Sequence, residues 1–294
     1  MTELREFAET VLRQPTLAVK VATPDLPFTD ESPGQATVVE RPEREPSLKP
    51  AAHGRAVRMP RFGEFGDRRA RGVAHNLMAS HELQALEIMA ATLLRSPDAP
   101  REFRFGLAEI MLDEQRHTRM HAARARQHGV PVGSIGLNEH IWNRAREFRD
   151  LLDYLAGVPL LFEGANLDHS IEFAEAFEAV GDQRSAHVMR QIHDDEIEHV
   201  AFGLTWLRRM KPAGVSDWDA FVDHLRQPLE PRRARGRRFQ RAARVAAGLD
   251  QQFIDNLEAA VGTSTSRTPL AVSGRSDPRD NDVSEADAGE VRSA

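Results

Sequence analysis

Two stretches of the chain carry the same metal-seeking side chains in the same order. Glu82 is followed 32 residues later by Glu114 and then by His117, and Glu163 is followed 33 residues later by Glu196 and then by His199. The surroundings repeat too. Glu82 and Glu163 each open a Glu-x-x-x-Leu-acid run, and Glu114 and Glu196 each sit in Asp-Glu-x-x-His, as DEQRH at 113–117 and DEIEH at 195–199. Side chains three apart on a helix share a face, so each Glu-x-x-His can address a metal ion with a carboxylate and an imidazole. A single Glu from each of two further helices would complete a carboxylate-bridged dinuclear centre inside a four-helix bundle. Four carboxylates offset the charge of two divalent ions, as a buried site requires. Mixed carboxylate and imidazole donors suit iron or manganese. Zinc favours single four-coordinate ions, and calcium favours oxygen alone.

One Glu-x-x-His is common on solvated helices; the second copy, with its matched Asp and its matched leading Glu, points to a site. The flanks agree. Leu107, Ile110, Met111 and Met120 lie one or two turns from Glu114, and Met189, Ile192, Phe202 and Trp206 surround Glu196. Charges set in an apolar stripe are costly unless they are paired or bind metal.

Four helices must carry these ligands. Periodicity predicts one over 68–95, stopped by Ser96-Pro97-Asp98-Ala99-Pro100, and a second over about 101–128, ended at Gly129. A Gly-, Val- and Pro-containing crossover runs to about Leu137. Residues 138–180 read as one or two helices, with Pro159 either starting or kinking the one that bears Glu163. The fourth covers about 182–210 and stops at Pro212. Residues 1–60 read as a Pro-rich extension, with a short helix near Thr2–Arg13, that wraps the bundle or is mobile. Residues 61–211 form the bundle with its dinuclear site, 212–261 are accessory helices covering it, and 262–294 are a disordered tail. The expected fold class is all-α.

Composition narrows the classes further. The absence of cysteine excludes disulfides, iron–sulfur clusters and a cysteine-ligated iron module. Met1 to Val11 is acidic and has no apolar centre, so no signal peptide is expected there. No apolar run reaches membrane-spanning length, and a cytoplasmic location without a membrane partner is expected. The net charge of −6 makes no case for nucleic acid. Arg232, Arg233, Arg235, Arg237, Arg238, Arg241 and Arg244 form a basic run. It reads as a solvated helix face or as a site for a phosphate group or a carrier protein, and Phe239 is its one interleaved aromatic.

The motifs resemble those of the ferritin-like superfamily of di-iron carboxylate proteins over about 68–211. DEQRH is similar to the signature of di-iron oxidases and desaturases. HELQALE at 81–87, FEGANLD at 162–168, DEIEHVAFGLTWL at 195–207 and ARVAAG at 243–248 most resemble a bacterial family of unknown function. A weaker resemblance leads to the bacterial di-iron hydroxylase of a modified tRNA adenosine. Residue by residue, the resemblance places Glu82, Glu114, His117, Glu163, Glu196 and His199 on the metal-ligand positions. It places Asp113 and Asp195 where acids hydrogen-bond the histidine of the opposite pair. Arg116 follows the signature, whereas Glu198 departs from it in the second copy. Glu87 competes with Glu82 as first ligand, and the internal repeat favours Glu82.

His121, one turn after His117, and His193, three before Glu196, are further candidates for the metal cavity. Glu109 and His169 read as surface groups. Tyr154, the single tyrosine, precedes Glu163 by nine residues. That is about 13 Å along an α-helix, too far for a radical beside a metal. The implied activity is an oxygen-activating di-iron enzyme, with iron in both positions or manganese in one. It would hydroxylate, N-oxygenate or desaturate a small molecule, using dioxygen and an external electron donor. The alternatives are an iron-handling protein, either a ferroxidase or a peroxide scavenger, and a tRNA-modifying hydroxylase that would depend on the arginine run.

Overall fold

The computed structural model describes residues 1–52 and 55–260, so the tail read as 262–294 lies outside the described residues. The chain is mostly helical. A two-residue parallel pairing of Thr2–Glu3 with Phe28–Thr29 is its one sheet among the described residues. Helices α1 (Leu4–Arg13) and α2 (Leu17–Lys20) precede two long helices, α3 (Arg68–Arg95) and α4 (Arg101–Gln127). Then come α5 (His140–Ala145), α6 (Leu151–Gly157), a π-helical segment (Val158–Glu163), α7 (Gly164–Ala179) and α8 (Gln183–Met210). The last elements are α9 (Asp217–His224), α10 (Arg241–Ala246) and α11 (Gln251–Ala259).

Local chemistry sets these ends. Asp67 caps α3 by accepting from Arg69 N at 2.9 Å, and Asp182 caps α8 by accepting from Ser185 N at 3.1 Å. The Ser-Pro-Asp-Ala-Pro connection turns the chain from α3 into α4, which pack closely along each other, as do α7 and α8. Gly129, just past α4, takes φ +83°, a left-handed conformation that stops the helix. Contacts of α4 with α8 join the two pairs.

The region 138–180 holds more pieces than the one or two helices expected. Pro159 neither starts a helix nor simply kinks one. It lies second in a π-helical segment that runs from α6 into α7 and ends at Glu163. Proline cannot donate to the α ladder, and the wider turn absorbs the missing bond. Gly203 on α8 makes the room, because a Cβ there would lie 2.6 Å from Pro159 Cγ. The π segment is thus matched to a glycine on the facing helix.

The amino-terminal segment contributes to the core. Leu4, Phe7, Ala8, Val11 and Leu12 are buried on one face of α1, which packs on α3. Each large apolar side chain buried this way contributes about 1.5–3 kcal/mol. Polar groups reinforce the seam. Buried Lys20 Nζ lies 2.9 Å from Glu87 Oε1 and donates to Val11 O, and Arg44 Nη2 lies 2.5 Å from Glu87 Oε2. No helix among the described residues is long and apolar enough to cross a membrane.

Candidate metal centre

Glu82 on α3, Glu114 and His117 on α4, Glu163 at the end of the π segment, and Glu196 and His199 on α8 are all buried and converge on one interior. Donor atoms of Glu82, Glu114, His117 and Glu196 lie within 4.8 Å of one another, as do those of Glu114, Glu163 and His199. Glu114 belongs to both groups. His199 Nδ1 is 3.4 Å from Glu114 Oε1 and 3.5 Å from Glu196 Oε2. Glu196 therefore also reaches toward both groups.

The donor atoms are unsatisfied. Both oxygens of Glu114 and of Glu163, Glu196 Oε2, His117 Nδ1 and His199 Nδ1 are buried with no hydrogen-bond partner. Orphaned buried polar atoms are rare, and carboxylates sharing a dry site repel one another. Burial raises the Glu82 carboxyl to about 7 and the Glu163 carboxyl to about 8, despite nearby His117 and His199 respectively. Burial and the neighbouring carboxylates of Glu82, Glu196 and Glu163 hold Glu114 well above its usual range. Protons or cations must fill such a site, and these six side chains could hold two metal ions side by side.

The far sides of the imidazoles are tied down across the helices. His117 Nε2 is 2.9 Å from Asp195 Oδ2, and His199 Nε2 is 3.4 Å from Asp113 Oδ2. A nitrogen facing a carboxylate carries the proton, so Nδ1 is left to face the cluster. Arg116 bridges the acids, 2.6 Å from Asp113 Oδ1 and 3.0 Å from Asp195 Oδ2. Burial would raise the Asp113 carboxyl, but hydrogen bonds from His199 and Arg116 outweigh it and hold it down to about 2. One arginine thus serves both halves, which explains how the second motif can carry Glu198 at the matching place.

The remaining candidates separate. Glu87 is turned away from the cluster and held by Lys20 and Arg44, so the repeat identified the inward glutamate. His193 is half-buried, with its Nδ1 3.0 Å from Ser170 Oγ, outside the cluster. His121 is fully buried at the cluster edge. Its Nε2 lies 3.7 Å from Glu82 Oε1, and its Nδ1 lies 2.9 Å from His75 Nδ1. A hydrogen-bonded line continues from His75 Nε2 to Ser185 Oγ at 2.8 Å and on to Asp182 Oδ2 at 3.0 Å. Tyr154 is buried and makes no hydrogen bond to the cluster carboxylates. Burial pushes its phenol well up, and the carboxylates of Glu163 and Glu114 push it further. Trp206 is core, set edge-on to Phe103.

Sequence reasoning passed over three groups. Asn166 Nδ2 donates to Glu196 Oε1 at 3.0 Å, orienting a cluster carboxylate. Its signal was the one-turn spacing from Glu163. His81 lies beside Glu82 on the wall of a cavity of about 630 Å³, and burial pushes its ring down to about 4. Asp168 forms a fully buried pair with Arg244, at 2.7 Å. That pair corrects the reading of the arginine run. Arg244 is interior and Arg241 is paired with Asp255 and Glu258, so neither offers a free anion site.

The large cavity is lined by both Glu82 and Asn166, so it opens on the cluster. No curated protein and no solved structure matches the chain. A family model described as protein of unknown function, DUF455, matches residues 4–255, and the chain belongs to that family.

Proposed function

We propose that this chain is a ferritin-like four-helix-bundle protein holding two iron ions, or iron with manganese in one position, and that it is an oxygen-dependent oxidase or oxygenase of a small organic molecule. Helices α3, α4, α7 and α8 form the bundle, with the π segment delivering Glu163. Bound there, a metal pair would supply the reduction of dioxygen and the oxidising power for hydroxylation, N-oxygenation or desaturation, with electrons from an external donor.

The chain's own groups supply the setting. Glu82, Glu114, His117, Glu163, Glu196 and His199 would hold the two ions, Glu114 being within reach of both donor groups and Glu196 lying close to His199 of the second. Asp195 and Asp113 fix the imidazole tautomers. Met189 and Ile192 give the cavity wall beside the cluster an apolar surface.

The observation that carries this reading is the cavity of about 630 Å³ whose wall includes Glu82. Its volume falls in the usual range of small-molecule sites, about 300–1,000 Å³. Iron storage or peroxide removal needs no such space, so the cavity favours an organic substrate. The test is anaerobic loading with ferrous ion, elemental analysis, and oxygen exposure followed by spectroscopy. About two irons per chain are expected, lost in the Glu114→Ala/Glu196→Ala variant. One zinc, or no metal at all, would refute the centre. Oxidation that consumes peroxide alone and never an organic substrate would refute the oxygenase.

A further inference from the structure

The cavity at Glu82 is not closed on its far side. It shares His169, Glu172 and Arg237 with a second, more open hollow of about 670 Å³, whose other walls are Arg232, Arg233, Arg235 and Gly236. The two hollows therefore adjoin at these three side chains, the inner one apolar and beside the acidic cluster, the outer one basic, and in sequence they mark out a path.

The inner part is apolar on most sides. Met59, Phe62, Met78, Phe173, Met189 and Ile192 line it. Methionine side chains adapt to ligands of varied shape, and two aromatic rings add flat contact area.

The mouth is built rather than incidental. The backbone of the arginine segment is pinned by two buried carboxylates of α7. Asp168 accepts from Gly236 N at 2.8 Å and from Gln240 N at 2.6 Å, and Glu172 Oε1 accepts from Arg237 N at 2.5 Å and Arg238 N at 2.8 Å. Arg244 closes the same knot, pairing with Asp168 and reaching Ala234 O at 3.0 Å. Asp168 is thus paired with Arg244. Glu172, whose Oε1 is held by the loop's main chain, keeps its charge beside Arg237, so the outer arginines outnumber the one carboxylate that lines the hollow with them. Arg232 is paired with Glu230, and Arg235 bonds Glu258 O at 2.9 Å and lies over the Phe239 ring. Among the described residues, Arg233 and Arg237 have no carboxylate partner, and both line the path.

We propose that the substrate of this site is a small amphipathic anion. Its apolar body would lie among the methionines and Phe173, with the end to be oxidised toward Glu82, and its single phosphate or carboxylate would sit between Arg233 and Arg237. Guanidinium forks match both head groups with paired hydrogen bonds, and the body anchors the molecule by its length. This assignment of the bound molecule as substrate rests on the oxygenase reading; the binding itself does not.

The experiment is calorimetric titration of the full chain, both iron-loaded and metal-free. Octyl phosphate, octanoate, octan-1-ol and inorganic phosphate are the probes. The variants are Arg233→Ala/Arg237→Ala and, as a charge-matched control, Arg238→Ala/Arg241→Ala, whose side chains lie outside the path. Octyl phosphate or octanoate should bind at least about tenfold tighter than octan-1-ol or inorganic phosphate, and whichever is tighter identifies the head group. The Arg233/Arg237 variant should lose about tenfold for the anionic chain and nothing for octan-1-ol, while the control keeps wild-type affinity. Iron content should be the same in all three proteins. Equal affinity for octan-1-ol and both anions overturns the proposal, as does equal weakening in both variants. Failure of iron to bind, with anion binding intact, would instead remove the oxygenase reading and leave this a binding site for amphipathic anions.

Discussion

His117 on α4 and Asp195 on α8 meet across the interior at 2.9 Å, and His199 and Asp113 repeat the relationship in reverse at 3.4 Å. Each helix therefore supplies both an imidazole and the acceptor that orients its counterpart. Asp113→Asn or Asp195→Asn should leave the helical fold intact and weaken metal retention by about 10–100-fold, since the acid sets the tautomer and basicity of the imidazole. The double variant should lose both positions. Metal competition with a chelator, alongside the circular dichroism melt, checks this. Wild-type retention in both single variants would make these acids mere partners of Arg116.

Glu87 and Glu82 are five residues apart and should respond oppositely. Glu87→Gln breaks a buried ionic contact with Lys20 and Arg44 and should cost about 3–5 kcal/mol while iron content stays at wild type. Glu82→Gln should lose iron and, without metal, melt no lower than wild type at pH 8, because it removes a carboxylate that is costly to ionise there. Denaturant melts with elemental analysis separate the two. Iron loss in Glu87→Gln with Glu82→Gln unaffected would reverse the ligand assignment.

Metal-free protein should become less stable as pH rises from 6.5 to 8. Glu82 and Glu163 bind protons more tightly folded than unfolded, mainly because burial disfavours their charge. Their contribution is fully present below the unfolded carboxyl range and is lost as pH climbs to about 7 for Glu82 and about 8 for Glu163. His199 adds to the same trend. Burial would lower it, but Asp113 and Glu196 outweigh that and raise it, so its stabilisation also fades with rising pH. His75, His81 and His121 are pushed down by burial and act in the opposite sense, but only below their ordinary value of 6.5. Metal bound at these carboxylates would replace the protons, so the gap in melting temperature between loaded and metal-free protein should widen with pH. A gap that narrows would contradict ligation by these carboxylates.

Gly203→Ala should destabilise the protein and lower iron occupancy. The added methyl would overlap the Pro159 ring, which cannot rotate away, so the π segment and Glu163 must shift. Overpacking of this kind costs about 1–3 kcal/mol, partly offset by about 1 kcal/mol of helix propensity. Gly106→Ala is the comparator. Its methyl would meet the Phe202 ring at 2.6 Å, and a partly buried side chain can swing aside. The expected ranking is wild type, then Gly106→Ala, then Gly203→Ala, in both melting temperature and bound iron.

The long helices were legible because period and punctuation agreed. α3 runs from Arg68 to Arg95, as its apolar spacing and the Ser-Pro-Asp-Ala-Pro stop required, and α4 ends two residues before Gly129. The convergence of Glu82, Glu114, His117, Glu163, Glu196 and His199 was legible because the repeat compares the chain with itself. The π segment was not, since periodicity places a proline but cannot say whether the facing helix offers a glycine to receive it. Nor was the fate of the arginines. Arg233 and Arg244 look alike in a basic run, and only the position of Asp168 decides which one is interior. His81 and Asn166 were overshadowed by neighbours with stronger ligand character.

The docking of α1 against α3 changes what counts as the minimal protein. Leu4, Phe7, Val11 and Leu12 cover α3, and Lys20 meets the Glu87 carboxylate five residues beyond Glu82. A shortened version starting near residue 60, where the long helices begin, would bare that flank to water and leave Glu87 without Lys20 or Arg44. Expression trials of the four long helices alone should give aggregated material, and any trimming for crystals or assays should spare everything from Leu4 onward.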